Sequence, residues 1–171
     1  MPLETALRLP VVSLAAEHLA MGHLLRRNIL TYKAPPNQEG YDLLCINPNP
    51  TVRSRVVRVQ VKSRYASDSN RSFMVKKEKL AGADYVVVVF LNIGYFYRRQ
   101  PVREGIQPPE FYTLPVSLVR RLHSRSTAGW ERVLTRGVNL DRYRDDRGFE
   151  QIAKKLKVPY PERFLDGGGE P

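Results

Sequence analysis

Residues 56–64 read VVRVQVKSR and predict a β-strand, because apolar and polar side chains alternate along them. Successive side chains of a strand point to opposite faces of the sheet. The apolar face carries Val57, Val59 and Val61. The polar face carries Arg58, Gln60 and Lys62. The strand therefore offers one face to a core and another on which an amide and an ammonium lie side by side.

The flanking segments predict a mixed α/β fold around one sheet. Residues 41–47 form a second predicted strand, and the turn sequence NPNP at 47–50 joins it to the first as a hairpin. Residues 84–92, DYVVVVFLN, predict a strand that is buried on both faces and lies inside the sheet. Shorter strands are predicted at 29–32, 73–75, 95–98 and 111–113, and brief helical segments at 77–82 and 116–122.

Two longer segments have helical periodicity. Residues 13–27 predict a helix with Ser13 as its N-cap. Its predicted core side chains are Leu14, Met21, Leu24 and Leu25. Residues 149–156 predict a second helix from apolar residues spaced i, i+3, i+4 and i+7. These are Phe149, Ile152, Ala153 and Leu156. The Arg-rich residues 124–146 show only a weak pattern.

The composition indicates a polyanionic partner. Lys and Arg number 28 against 17 Asp and Glu, which gives a net charge of +11, and a basic protein of this kind favours nucleic acid. The single cysteine, Cys45, excludes an intramolecular disulfide and a multi-cysteine zinc site, and it suits a reducing compartment. The N-terminus lacks a signal-peptide pattern, and the longest apolar run is too short to cross a bilayer. We therefore expect a cytoplasmic protein with no membrane partner.

Four polar residues meet at one edge of the sheet if the first helix packs across the hairpin. They are Glu17, Asp42, Gln60 and Lys62. Oxygen ligands suit a hard cation such as Mg²⁺ or Mn²⁺, which would polarise a phosphate and activate water. Lys62 would orient or deprotonate that water, or stabilise charge on the phosphate.

At these residues the sequence resembles the PD-(D/E)XK nuclease superfamily, whose fold is called restriction-endonuclease-like. The helix Glu is Glu17 in LAAEHLAMG, the Asp motif is Asp42 in EGYDLL, and the E-x-K motif is Q-V-K, ending in Lys62. The resemblance covers residues 14–92. Two positions depart from the motif: Tyr41 replaces its Pro, and Gln60 replaces its carboxylate with a neutral, weaker ligand.

The resemblance implies a mixed central sheet flanked by helices in α-β-β-β-α-β order. We expect a nuclease-like domain at 1–123, a basic extension with a helix at 124–158 that belongs to the same domain, and a disordered tail at 159–171. The implied activity is that of a Mg²⁺-dependent DNA endonuclease. Asp42 would bind the metal directly, Gln60 and Glu17 would complete its shell, and Lys62 would position the water. Cutting both strands of a duplex usually needs two active sites, so a homodimer is also expected.

Basic residues near the predicted strands are candidates for contacts with a phosphate backbone. They are Arg58, Arg64, Lys76, Lys77, Arg98 and Arg99. Each of them is also compatible with an ordinary solvated surface charge.

Other interpretations of the same residues stay open. Asp42 could cap a turn after Gly40, and Gln60 and Lys62 could form the solvated face of an ordinary hairpin. Glu17 could interact only with the helix dipole, while Glu39 is a competing ligand. For the whole chain, the alternative is an inactive nucleic-acid-binding domain on the same fold. A further alternative is an interaction protein that docks through residues 124–171.

Overall fold

The computed structural model describes residues 9–67, 71–96 and 100–159. Two of the candidate phosphate contacts, Arg98 and Arg99, lie outside the described residues. The predicted tail at 159–171 also lies outside them, apart from Pro159.

The chain alternates helices and strands. The helices are α1 (Leu9–Arg26), α2 (Val116–Leu122) and α3 (Asp145–Leu156). The strands are β1 (Leu30–Lys33), β2 (Leu43–Ile46), β3 (Val57–Arg64), β4 (Phe73–Met74), β5 (Tyr85–Phe90), β6 (Ile93–Tyr95), β7 (Pro101–Ile106), β8 (Glu110–Pro115), β9 (His123–Arg125) and β10 (Glu131–Val133). Two 3₁₀ turns cover Lys77–Gly82 and Asp141–Tyr143.

A five-stranded mixed sheet in the order β1-β2-β3-β5-β8 forms the centre of the protein. β3 pairs in parallel with β5, and the other neighbours in this sheet pair antiparallel. A parallel pair needs a crossover connection; here β4 and the 3₁₀ turn Lys77–Gly82 lie within it. All six residues of β5 are buried, which confirms the prediction of an interior strand.

The central sheet has an apolar core on each face. One core joins β3 and β5 to α1 and α3, and it contains all four apolar residues predicted for α3: Phe149, Ile152, Ala153 and Leu156. The other core lies under α2 and the small sheet β4-β10-β9. Because its two faces are covered by different elements, β5 is apolar at every position.

The buried side of α1 differs from the prediction. The side chains that face the core are Val12, Ala16, Ala20 and Leu24, whereas Leu14 and Leu25 are 48% and 41% exposed. Apolar residues occur on every side of this helix, so its pattern does not identify one face, and two alanines let it approach the sheet closely. The helix also begins at Leu9, ahead of Ser13, because Pro10 is tolerated in a first turn.

Several short elements were missed or misplaced. Residues 124–146 contain most of β9, all of β10 and the turn Asp141–Tyr143, although their pattern is weak. The strand predicted at 95–98 overlaps β6 at Tyr95 alone, and its residues 97 and 98 lie outside the described residues; β6 pairs with the unpredicted β7. Strands of three residues carry too little alternation to be recognised, and they form through pairing with distant segments. None of the described helices combines the length and apolar character that crossing a bilayer requires.

Candidate active site

Asp42 lies directly before β2, where its backbone and side chain both bond to β3. Its N–H donates to the Val59 carbonyl at 2.8 Å, and its Oδ2 accepts the Val61 N–H at 2.7 Å. The Ala34 N–H donates to the Asp42 carbonyl at 2.8 Å. The carboxylate therefore takes the place of a strand partner for Val61, and it bonds to β3 instead of to the turn at Gly40.

The electrostatic surroundings of Asp42 include both signs of charge. Burial raises the pKa of Asp42, and the Glu17 carboxylate raises it further. The Val61 N–H, the Lys62 ammonium and the Lys33 ammonium act in the opposite direction on this pKa. Asp42 is thus a partly buried carboxylate that a cation would help to keep ionised.

Gln60 lies in β3 level with Asp42, because the register pairs Leu43 with Val59. Its side chain is on the face opposite the valines of β3, as the sequence predicts. Gln60 is only 4% exposed, and its Oε1 has no hydrogen-bond partner among the described residues. A buried acceptor without a partner costs roughly 1–3 kcal/mol. This oxygen is therefore suited to a ligand from outside the chain.

Lys62 follows on the same face of β3 and is half-buried. Burial lowers the pKa of Lys62, and the nearby Lys79 lowers it too, while the Asp42 carboxylate raises it. The interpretation of Gln60 and Lys62 as a solvated hairpin face is therefore wrong, since both side chains are wholly or partly withdrawn from water.

Glu17 is on α1 next to the buried Ala16, and its carboxylate forms an ion pair with Lys33 at the end of β1. The side chains of Glu17 and Lys33 are 21% and 36% exposed. Both carboxylates, Glu17 and Asp42, also act electrostatically on Lys62. Glu17, Lys33, Asp42 and Lys62 thus influence one another electrostatically, and Gln60 lies level with Asp42 in the neighbouring strand.

A backbone contact between two glycines places Lys79 near this group. Gly40 packs against the backbone of Gly82, and the Lys79 carbonyl is also in contact. This contact fixes the 3₁₀ turn Lys77–Gly82 against the loop that leads into Asp42. Glu39 takes part through its carbonyl, and its side chain is exposed. Sequence reasoning missed Lys33 and Lys79 because only strand pairing and the glycine contact place them here.

The candidate phosphate contacts have different surroundings. Arg58 lies over the Tyr41 ring at 5.7 Å, and Lys76 and Lys77 are exposed beside the 3₁₀ turn. Arg64 is half-buried and donates to the Ser72 carbonyl, which ties β3 to the segment before β4. Arg58, Lys76 and Lys77 are therefore the better placed for a ligand in solution.

The donor set fits one hard cation. No three His, Cys, Asp or Glu side chains in residues 9–67, 71–96 and 100–159 are grouped closely enough to hold a metal. A cation here would instead use the carboxylates of Asp42 and Glu17 together with the unpartnered Gln60 oxygen. Carboxylate and amide oxygens are ligands that Mg²⁺ accepts, with water completing its coordination.

Comparisons with known proteins support the fold. No protein-family model matches the chain, and no curated protein matches it significantly. The structure is similar to that of the bacterial homing endonuclease I-Ssp6803I, with 18% identity, a TM-score of 0.55, and coverage of 88% of this chain and 95% of that one. The Holliday junction resolvase Hjc of Archaeoglobus fulgidus has 13% identity, a TM-score of 0.43, and coverage of 87% and 98%.

The first of these similarities confirms the predicted mixed α/β fold and is consistent with a restriction-endonuclease-like core. At this identity it concerns the fold alone. The assignment of individual residues rests on the geometry of this chain.

Proposed function

We propose that this protein is a metal-dependent DNA endonuclease that hydrolyses phosphodiester bonds. The observation that carries the proposal is the unpartnered, buried Gln60 Oε1 level with Asp42 and beside Lys62. Positions withdrawn from water do not otherwise favour a carboxylate, an amide oxygen and an ammonium together. The net charge of +11 and a fold shared with a DNA endonuclease point to DNA as the substrate.

Each residue has a role that its position allows. Asp42 and Gln60 would hold the cation, with Glu17 completing the shell directly or through water. A bound Mg²⁺ or Mn²⁺ polarises the scissile phosphate and lowers the pKa of the attacking water. Lys62 positions the water and offsets the charge that develops on the phosphate. Lys76, Lys77 and Arg58 hold the DNA backbone next to this site.

An inactive nucleic-acid-binding domain is the second candidate, because two ligands are weakened. Gln60 supplies a neutral oxygen in place of a carboxylate, and Glu17 already pairs with Lys33. This candidate predicts DNA binding that is independent of metal and falls steeply with salt.

A nuclease assay separates the two candidates. Purified protein would be incubated with plasmid, linear, single-stranded and branched DNA in Mg²⁺, Mn²⁺ or EDTA. We expect cleavage only with metal, and a loss of at least about a hundredfold in Lys62→Met, by analogy with removing one charge-stabilising donor. The matched control is Lys154→Met, which removes a lysine that is 72% exposed on α3.

The outcomes are distinct. If Lys62→Met cuts as fast as wild type, Lys62 has no part in catalysis. If neither protein cuts any substrate while both bind DNA, the second candidate replaces the first. Light scattering of the protein with and without DNA tests the expected homodimer.

A further inference from the structure

The Glu17–Lys33 ion pair lies close enough to Asp42 for both charges to shift the pKa of its carboxyl. Lys33 is opposite Leu43 in the β1–β2 ladder, so it is adjacent in space to Asp42. The following residue, Ala34, donates its N–H to the Asp42 carbonyl. Lys33 therefore reaches from the edge of the sheet to the carboxylate on α1, with Glu17 partly buried and Lys33 exposed.

The negative charges of this group already have positive partners. Glu17 and Asp42 are negative, Lys33 and Lys62 are positive, Gln60 is neutral, and Lys79 adds a further positive charge next to Lys62. The ammonium of Lys33 acts on both carboxylates, since it pairs with Glu17 and lowers the pKa of Asp42. A divalent cation that binds here can contact the Asp42 carboxylate, whereas the Glu17 carboxylate is already paired with the Lys33 ammonium.

We propose that Lys33 withholds Glu17 from the metal in the DNA-free protein, so that the cation binds through Asp42 and Gln60 with reduced affinity. This inference rests on the proposed function. Its physical basis is competition between the ammonium and the cation for the same carboxylate. A carboxylate that forms a close ion pair with an ammonium interacts less strongly with a divalent cation. The consequence is a site that loads poorly until the Lys33 ammonium finds another anion, such as a DNA phosphate.

Direct measurement of Mn²⁺ affinity without DNA tests the inference. Electron paramagnetic resonance of free Mn²⁺ would be recorded for wild type, Lys33→Met, Glu17→Gln and the double variant. We expect Lys33→Met to bind Mn²⁺ about fivefold more tightly, the scale of a partly exposed ion pair. We expect the double variant to match wild type within about twofold, because a neutral pair replaces a neutralised pair.

The double variant is decisive. If Glu17 is a metal ligand in the DNA-free protein, both Glu17→Gln and the double variant bind Mn²⁺ more weakly than wild type by about tenfold or more. That result overturns the inference. The matched control is the Lys154–Glu150 ion pair on α3: the same single and double substitutions there should leave Mn²⁺ affinity unchanged. Thermal melts of every variant verify that it is folded.

Asp42→Asn distinguishes failure of the inference from failure of the proposed function. If Asp42→Asn and wild type bind Mn²⁺ equally, this is not the metal site and both proposals fail. If Asp42→Asn abolishes binding while the double variant is as weak as Glu17→Gln, the metal site stands and only the role of Lys33 is wrong.

Discussion

Replacing Gly40 by alanine should disturb the fold and the candidate site together. Gly40 has φ of +90°, and a Cβ there would lie 2.9 Å from the Gly82 Cα and 3.3 Å from the Lys79 carbonyl oxygen. The three atoms nearest to it all belong to the backbone. The loop before Asp42 and the 3₁₀ turn Lys77–Gly82 therefore have to separate.

Two contributions set the size of the effect. An alanine in the left-handed region costs about 1–2 kcal/mol. Ordinary contact begins at 3.4 Å, so a 2.9 Å contact requires a shift of 0.5 Å, and overpacking of this kind costs about 1–3 kcal/mol. We expect the free energy of unfolding to fall by about 2–5 kcal/mol. Since a misplacement of about 1 Å can cost about 10²-fold in rate, the cleavage rate should fall by about tenfold or more.

Two other glycines separate these contributions. Gly137 has φ of +77° with nothing within 4 Å of an added Cβ, so Gly137→Ala carries the conformational cost alone. Gly82→Ala meets the Glu39 carbonyl oxygen at 3.1 Å without a positive φ, so it carries the contact cost alone. Urea denaturation would give the stability of each variant, and cleavage rate with Mn²⁺ affinity would report on the site. If Gly40→Ala and Gly137→Ala behave alike in all three measurements, the glycine contact does not position Asp42.

Three further predictions concern the core and the buried polar groups. Phe149→Ala should lower the free energy of unfolding by about 3–5 kcal/mol in urea, whereas the exposed Leu14→Ala should stay within about 0.5 kcal/mol; equal losses would contradict the assigned core. Burial raises the pKa of Asp42 in the folded state above its value in the unfolded state. Protonated Asp42 therefore contributes stability that is fully present below the pKa of the unfolded state, and this stability is lost as the pH rises through the pKa of the folded state. Without metal, Asp42→Asn should therefore melt above wild type at neutral pH by a margin that shrinks on acidification, and a margin independent of pH would refute this. Gln60→Glu places another carboxylate at a position that is 4% exposed. It should therefore lower the melting temperature when a chelator is present and tighten Mn²⁺ binding; an unchanged Mn²⁺ affinity would show that residue 60 is not a metal ligand.

Features that depend on local periodicity were predictable from the sequence. The alternation in β3 put Gln60 and Lys62 on one face, and the continuous apolar run of β5 predicted an interior strand. The spacing of Phe149 and its partners predicted the buried face of α3. These features follow from the periodicity of side-chain direction, which is two residues in a strand and 3.6 residues in a helix. This periodicity is local, so it can be recognised in the sequence.

Which charges meet depends on long-range packing, and the sequence pattern did not predict it. Lys33 reaches Glu17 because α1 packs across the sheet, and Lys79 approaches Lys62 because Gly40 and Gly82 are in contact. The buried side of α1 was also undecided, since apolar residues surround that helix and only packing selects Ala16 over Leu14. Contacts between segments far apart in sequence depend on strand register and on how closely the segments pack, and the local periodicity of the sequence does not specify them.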